Sequence, residues 1–323
     1  MVCILCAMKT EKIDPQDLKK AVNLILQGEI VAFPTETVYG LGASIFLEEA
    51  IQKIFFAKGR PSDNPLIAHV CDLFSIEKIA QNIPEVFYRL AEQFFPGPLT
   101  LVLPKGKEVP SIVSAGLDTV AVRMPNHPIA KELIRLVGTP LVAPSANLSG
   151  KPSSTQVSHV LDDFEGKIAG VILGDSSEIG IESTVISLLN NEVEILRPGS
   201  ISQEEVEEFL RRKISVFTSQ GKDGRFPSPG MKYKHYAPLA QVSLFFSEQE
   251  ALNSYYGKNL HHKKMILANG FFKEEVFPLK ASSFYSKLRL ADEKEYQEVL
   301  IVCDPITLQN KGFMNRIEKA AGL

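Results

Sequence analysis

The stretch KGRPSDNPL, residues 58–66, joins an apolar helical pattern to a strand pattern and is the most informative part of this sequence. Two cations stand two residues apart on a turn whose path is fixed by glycine and proline. Lys58 and Arg60 together suit a polyanion, because arginine offers a planar fork of donors and lysine a mobile point charge. A basic turn exposed to solvent is the alternative that this stretch alone leaves open.

Helical and strand patterns alternate on both sides of this turn. A first helix is predicted to begin at Asp14 as its N-cap, with Pro15 in its first turn, and to end at Gly28. Ser202 and Glu205 are spaced as a capping box at the start of a later helix. Short apolar runs between the helices predict buried strands, so the chain is expected to have an α/β fold.

The composition changes late in the chain. Residues 214–238 are rich in glycine and proline and poor in apolar side chains, which is typical of a linker. We therefore predict a catalytic domain over residues 1–213, a linker over 214–238, and a smaller α/β domain over 239–323. The linker could also close over an active site.

Composition and charge limit the possible functions. The chain has 323 residues and a net charge of −3, so its composition implies no general polyanion-coating role, and an RNA contact would need a local basic patch. Its apolar runs are too short to span a membrane, and its start lacks a basic leader, so we expect a cytoplasmic protein with no membrane segment. Cys3 and Cys6 have metal-like spacing but no second pair to complete a zinc site.

Further segments place small polar or cationic residues beside strand patterns. They are PTETVYGLG (34–42), VAVRMP (120–125), APSANLSG (143–150), ESTV (182–185) and RPG (197–199). The chain has neither a Walker-type phosphate loop nor a dinucleotide fingerprint, so a nucleotide would have to be held by another device. No G-x-S-x-G elbow surrounds Ser145 or Ser183, which argues against a serine hydrolase.

In their order and spacing, these segments resemble the YrdC-type threonylcarbamoyl-AMP synthases over residues 10–210. Residues 228–238 and Met314-Asn315-Arg316 resemble the linker and the final helix of the long-form members. The resemblance implies a twisted, open mixed α/β sheet of the YrdC type around a basic cavity. It also implies that the C-terminal domain is smaller and Rossmann-like.

The activity that the resemblance implies is a nucleotidyl transfer. L-threonine, bicarbonate and ATP would be condensed into L-threonylcarbamoyladenylate with release of pyrophosphate. A downstream tRNA threonylcarbamoyl transferase would use the product to modify the adenosine beside the anticodon. Magnesium is expected to accompany ATP and to be held mainly by phosphates and water, because no acidic cluster predicts a protein-made cage.

The resemblance also assigns residues to roles. Lys58 and Arg60 would be catalytic, with Lys58 neutralising the charge that develops on bicarbonate or phosphate. The implied threonine-binding residues are Thr37, His69, Arg123, Ala143 and Ser183. The implied ATP-binding residues are Arg60, Asn64, Thr119, Ser145, Ser153 and Arg197. His235 and Tyr236 of the linker would form a lid that keeps water from the labile adenylate.

Two other functions fit the same sequence. A non-catalytic RNA-binding module could use the same cavity, and its binding would weaken steeply with salt. A different transferase could use carbamoyl phosphate as its donor, but such relatives carry zinc-finger-like cysteine clusters that this chain lacks.

Overall fold

The computed structural model describes residues 9–217, 236–257, 259, 261–270 and 276–323. Cys3, Cys6 and His235, to which the sequence directed attention, lie outside the described residues, as does most of the predicted linker. Within the described part of the chain, no helix combines the length and the apolar character that crossing a membrane requires.

The first part of the chain forms a sheet of eleven strands with helices packed on it. Its strands are β1 (Glu11–Ile13), β2 (Val31–Phe33), β3 (Gly40–Ser44), β4 (Ile67–His69), β5 (Leu99–Pro104), β6 (Thr119–Arg123), β7 (Leu141–Val142), β8 (Gly170–Ile172), β9 (Thr184–Ser187), β10 (Glu194–Arg197) and β11 (Ser215–Val216). Its helices are α1 (Lys19–Leu26), α2 (Glu48–Lys58), α3 (Leu73–Glu77), α4 (Glu85–Phe94), α5 (Ser111–Ser114), α6 (Pro128–Val137), α7 (Val157–Phe164) and α8 (Gln203–Leu210), with a short 3-10 turn at Leu189–Asn191.

The strands of this sheet run in the order β1-β8-β2-β3-β7-β4-β6-β5-β9-β10-β11. The sheet is mixed, since it contains parallel pairs such as β4 with β6 and antiparallel pairs such as β5 with β6. The order brings together strands that lie far apart in sequence. His69 at the end of β4 is the register partner of Arg123 at the end of β6, which sets the two polar side chains next to each other.

A second sheet of four parallel strands follows, in the order β12-β15-β13-β14. Its strands are β12 (Gln241–Phe245), β13 (Lys264–Ala268), β14 (Val276–Pro278) and β15 (Glu298–Val302). The helices that accompany it are α9 (Glu248–Tyr256), α10 (Ala281–Glu293), α11 (Pro305–Gln309) and α12 (Lys311–Ala321). The expected mixed α/β sheet with a smaller α/β unit after it is confirmed. The exact domain limits stay a prediction, and β11 lies two residues beyond the predicted boundary at residue 213.

The capping box is confirmed: the Ser202 hydroxyl accepts a hydrogen bond from Glu205 N, and the Glu205 carboxylate accepts one from Ser202 N. The predicted start of the first helix was wrong. Asp14 instead closes a turn, in which its carboxylate accepts from Gln16 N, and the helix begins at Lys19. A short polar side chain can satisfy a turn as well as a helix end, so the sequence signal did not separate the two.

Residues 40–42, the end of the quoted segment 34–42, begin strand β3, which pairs antiparallel with β2. The glycines are required by close packing. A Cβ atom on Gly42 would lie 2.7 Å from Cε1 of Phe33, and one on Gly40 would lie 3.2 Å from Cβ of Ala143. Because these two positions of β3 carry no side chain, the buried Phe33 ring can pack directly on the strand. The loop that precedes β3 also lies close to the residues that follow β7.

The two units share an apolar cluster. Val38 and Ile181 of the first unit pack in one buried group with Tyr285 of α10 and Ile317 of α12. All four are nearly inaccessible to solvent, and burial of this kind contributes roughly 25 cal/mol per Å² of apolar surface. The C-terminal unit is thus packed directly against the loops that precede β3 and β9.

Candidate active site

A cavity lies against the central strands of the large sheet, and its walls come from segments that are distant in sequence. Ten of the predicted site residues line it: Thr37, Lys58, Arg60, His69, Arg123, Ala143, Ser145, Ser183, Arg197 and Tyr236. Asn64, Thr119 and Ser153 are not among its lining residues. The fold therefore brings most of the predicted residues to one place.

Lys58 is the last residue of α2 and is 3 % exposed. Its Nζ donates hydrogen bonds to the carbonyl oxygens of Ser145 at 2.6 Å and Asn147 at 2.5 Å. Burial, followed by the nearby Arg60 guanidinium, holds the pKa of Lys58 well below its usual range. The amine is thus fixed at the cavity wall, and an incoming anion would stabilise its charged form.

Arg60 follows Gly59, which ends the helix in the left-handed conformation. The Arg60 Nη2 atom donates to the carbonyl oxygens of Asn64 at 3.3 Å and Pro65 at 3.1 Å, so the turn holds its own guanidinium in place. The side chain of Asn64 is buried, and its Nδ2 has no hydrogen-bond partner among the described residues. A buried donor without a partner costs free energy unless a ligand or water satisfies it.

His69 and Arg123 form a second polar group. Arg123 Nη2 lies 2.8 Å from Oε1 of Glu36, and both side chains are almost fully buried. The Nδ1 of His69 is 3.2 Å from the carbonyl oxygen of Ile67. Burial, and then the charge of Arg123, lower the pKa of His69 to about 3, so its imidazole is neutral near pH 7. Glu36 has no role in the sequence prediction, although it stands inside the quoted segment 34–42.

Ser183 and Arg197 meet where β9 begins and β10 ends. Arg197 Nη2 donates to the carbonyl oxygen of Ser183 at 2.8 Å and lies 3.3 Å from its hydroxyl. The Ser183 hydroxyl is also 2.8 Å from that of Thr100 on β5. Burial lowers the pKa of Arg197 from its usual value. The hydroxyl at residue 183 is therefore held by two neighbours at the cavity wall.

The segment after β7 supplies backbone as well as side chains. Gly40 and Ser145 form an antiparallel bridge, which ties this segment to the start of β3. The Asn147 side chain donates through Nδ2 to the carbonyl oxygens of Leu148 and Lys151, and its buried Oδ1 has no partner among the described residues. Asn147 lines the cavity and was not assigned a role from the sequence. The sequence could have indicated a role for Asn147, because this residue lies in the quoted segment 143–150.

Tyr236 is the one predicted lid residue that the structure describes, and it lines the cavity at 5 % exposure. Its backbone has φ of 66°, a conformation that is unusual for a bulky residue. The next residue, Ala237, donates its N–H to the carbonyl oxygen of Gly150 at 3.1 Å. The end of the predicted linker is thus attached to the cavity wall.

Glu182 is a lining residue that the sequence prediction did not assign. Its Oε1 accepts from the Ser153 hydroxyl at 2.6 Å, and its Oε2 accepts from the Tyr285 hydroxyl at 3.0 Å and from Arg316 Nε at 2.7 Å. Burial alone would raise the pKa of Glu182, but the Arg316 and Arg197 guanidiniums and the Ser153 hydroxyl lower it to about 2. The carboxylate is charged and satisfied by side chains from both units.

The described residues contain no group of three or more histidine, cysteine or acidic side chains that could hold a metal ion. In and beside the cavity, the carboxylates of Glu36 and Glu182 are engaged by Arg123 and Arg316. Magnesium tolerates such a site when phosphates and water supply its oxygen ligands. The described residues thus supply no cage of their own for a metal ion at the cavity.

Four basic side chains and one carboxylate are among the described residues that line the cavity: Lys58, Arg60, Arg123, Arg197 and Glu182. When Arg316 and Glu36, which pair with Glu182 and Arg123, are counted as well, cations still outnumber carboxylates around the cavity, so the field inside favours anions. Buried cations act more strongly than exposed ones, since little water screens them. The arrangement can bind a polyanion and a second anion side by side and stabilise negative charge that moves between them.

Comparison with known proteins gives two family matches. The model named for Sua5, YciO and YrdC, with the description Telomere recombination, matches residues 23–199. A model described as the C-terminal domain of threonylcarbamoyl-AMP synthase matches residues 201–322.

Similar proteins cover nearly the whole chain. The threonylcarbamoyl-AMP synthase of Pyrococcus abyssi is 42 % identical, with 97 % of this chain and 96 % of the relative covered. That of Bacillus subtilis is 41 % identical, with 96 % and 94 % covered. The crystal structure of P. abyssi Sua5 complexed with L-threonine superimposes with a TM-score of 0.88 at 40 % identity, covering 97 % of each chain.

Proposed function

The chain belongs to the threonylcarbamoyl-AMP synthase family, and on this premise we propose that its cavity makes L-threonylcarbamoyladenylate from L-threonine, bicarbonate and ATP, with release of pyrophosphate. The family resemblance and the enzyme class predicted from the sequence are confirmed. Which residues carry the reaction belongs to the proposal. The use of bicarbonate and MgATP also belongs to the proposal, as does delivery of the product to a tRNA threonylcarbamoyl transferase.

The observation that carries the proposal is the convergence of Lys58, Arg60, Arg123 and Arg197 on one cavity. ATP and bicarbonate are both anions, and bringing unit charges to contact costs several kcal/mol at an effective dielectric of about 20. Three of these side chains, Lys58, Arg123 and Arg197, are buried and Arg60 is partly exposed; together they offset this repulsion. Magnesium, bound to the phosphates, supplies further shielding of the triphosphate.

Threonine is the substrate with the strongest support, because a relative of the same fold has been solved with L-threonine bound. We assign its binding to Thr37, His69, Arg123, Ala143 and Ser183, which all line the cavity. A guanidinium suits the amino-acid carboxylate, and hydroxyl groups suit its side chain. The neutral state of His69 leaves it able to accept or donate a hydrogen bond without adding charge.

The nucleotide is assigned to Arg60, Ser145 and Arg197 on the cavity wall. Asn64 does not line the cavity, but its carbonyl oxygen accepts from Arg60, and its buried amide nitrogen is a donor that a phosphate or ribose oxygen could satisfy. Thr119 and Ser153 remain predicted ligands without a place on the cavity wall. The Ser153 hydroxyl donates to Glu182, so its contribution would be to hold that carboxylate.

The chemistry proceeds in two steps. The threonine amine, once it has lost a proton, attacks the carbon of bicarbonate, and loss of water leaves a carbamate. A carbamate oxygen then attacks the α-phosphorus of ATP, the bond to the β-phosphate bridge breaks, and pyrophosphate leaves. Lys58 stabilises the charge that moves onto the phosphate oxygens. No covalent intermediate with the protein is needed, so positioning and electrostatics supply the rate acceleration.

The direct test is pyrophosphate release from ATP and magnesium, with threonine or bicarbonate omitted in turn. Release that requires both substrates is expected. Release that requires neither would indicate an ordinary nucleotide hydrolase. Absence of release under all mixtures, together with salt-sensitive RNA binding, would favour the non-catalytic RNA-binding module.

A further inference from the structure

The last helix of the chain reaches the cavity through one side chain, Arg316. This arginine on α12 is 0 % exposed, although it lies in the C-terminal unit. Its Nε donates to Oε2 of Glu182 at 2.7 Å, and its Nη1 donates to the carbonyl oxygen of Pro198 at 2.8 Å. Both acceptors belong to segments that form the cavity wall, one just before β9 and the other just after β10.

Through Glu182, Arg316 is connected to the residues that are assigned to the substrates. It is covalently joined to Ser183, and Arg316 Nη2 also lies 3.4 Å from its backbone carbonyl oxygen. On the other side, Pro198 follows Arg197, whose guanidinium donates to Ser183. Arg316 therefore holds the residue before Ser183 and the residue after Arg197. Ser183 is assigned to threonine and Arg197 to the nucleotide.

The same guanidinium also contacts the lid residue. Its Cζ lies 5.6 Å from the centre of the Tyr236 ring, within the range of a cation–π contact. The ring of Tyr285, whose hydroxyl donates to Glu182, lies 5.3 Å from the ring of Tyr236 on the same cluster. A single cation thus contacts two residues that line the cavity, Glu182 through hydrogen bonds and Tyr236 through its ring.

The backbone is shaped for this approach. Gly312, one turn before Arg316 on α12, packs against Gly199, and a Cβ atom on Gly312 would overlap the Gly199 carbonyl group. A Cβ atom on Gly199 would in turn lie within 2.5 Å of the Ser183 carbonyl carbon. Two glycines at the contact allow the helix to come close enough for Arg316 to reach Glu182.

We infer that Arg316 is a positioning residue of the active site, which fixes Glu182–Ser183 and Tyr236 together and so makes the C-terminal helix part of the threonine-binding machinery. The inference deepens the proposed function and rests on it. It gives the C-terminal unit a role in the reaction, in addition to its packing on the first unit. Only arginine, with its planar fork, can serve Glu182, Pro198 and the Tyr236 ring at once.

The test is Arg316→Lys in the full chain, with initial rates of pyrophosphate release measured against threonine and against ATP. Lysine keeps the charge near Glu182 but not the second hydrogen bond or the planar contact. We expect the KM for threonine to rise about ten-fold, with a fall in kcat, because small misplacements of bound groups are costly. A role in folding alone would reduce the amount of active protein and leave the KM unchanged.

Lys311→Met is the matched control. Lys311 lies on the same helix and pairs across the two units with Glu204 of α8, but this pair is exposed and does not touch the cavity. Wild-type KM values are expected for it. If Arg316→Lys yields no folded protein, Tyr285→Phe removes one hydrogen bond to Glu182 and should raise the threonine KM in the same direction.

The outcomes separate the two proposals. An active wild-type protein whose Arg316→Lys variant keeps the wild-type threonine KM would overturn this inference and leave the proposed function standing. If Tyr285→Phe has to take its place, an unchanged KM overturns the inference equally. A wild-type protein without threonine-dependent release of pyrophosphate would overturn both.

Discussion

Lys58 Nζ lies 2.6 Å from the carbonyl oxygen of Ser145, so the last residue of α2 is joined to the segment that follows β7 across the cavity. This contact places a buried cation where the triphosphate or bicarbonate would lie. Glycine at 59 ends the helix in the left-handed conformation, and the chain then turns back toward β4.

Lys58→Met is expected to lower the rate of threonylcarbamoyl-AMP formation by about 100-fold or more, because a positioned charge is lost where negative charge develops. Steady-state pyrophosphate release measures it. Lys53→Met is the matched control, since Lys53 lies on the same helix and its exposed Nζ contacts Glu29 and the Gly28 carbonyl oxygen, neither of which lines the cavity. Equal activities in the two variants would contradict the role assigned to Lys58.

Ser183→Ala is expected to raise the KM for threonine by about ten-fold, the size of one hydrogen bond to a polar ligand, with a smaller effect on the KM for ATP. The measurement is a pair of substrate titrations. Ser187→Ala changes a serine at the other end of β9 and should leave both constants unchanged. An effect of Ser183→Ala on ATP alone would move this residue to the nucleotide site.

Stability should fall in acid because of His69. Burial and the Arg123 charge lower its pKa to about 3, whereas an unfolded histidine titrates near 6.5. Between these values the unfolded chain binds more protons, so the free energy of unfolding decreases as the pH falls from about 6.5 toward about 3. Urea unfolding at a series of pH values should show a shallower decrease for His69→Gln.

The matched variant for this experiment is His261→Gln, which changes a solvent-exposed histidine. It should keep the pH dependence of the wild type. A wild-type slope in His69→Gln would show that the buried imidazole does not resist protonation in the folded state.

Gly312→Ala is expected to lower the free energy of unfolding by a few kcal/mol, because the added methyl group overlaps the Gly199 carbonyl group. The sign of this change in unfolding free energy is informative, because in an ordinary helix replacing glycine by alanine is stabilising by about 1 kcal/mol. Urea unfolding followed by circular dichroism measures the change. A stabilised variant would mean that α12 does not pack against residue 199.

The sequence predicted the site better than it predicted the contacts between the units. Lys58, Arg60 and Arg197 stand in short segments with distinctive order, so their meeting in one cavity could be expected. Glu182 and Arg316 are separated by most of the C-terminal unit, and an isolated charged residue carries no sign of its distant partner. Local signals were also ambiguous, as at Asp14, where a turn and a helix start require the same side chain.

The account is tested most directly by product analysis with ¹³C-bicarbonate, L-threonine and MgATP. Mass spectrometry of the adenylate should show threonylcarbamoyl-AMP one mass unit heavier than the product made with unlabelled bicarbonate, in step with pyrophosphate release. Pyrophosphate release that gives only AMP, or an adenylate without the label, would contradict the proposal that this cavity joins bicarbonate to threonine before adenylation.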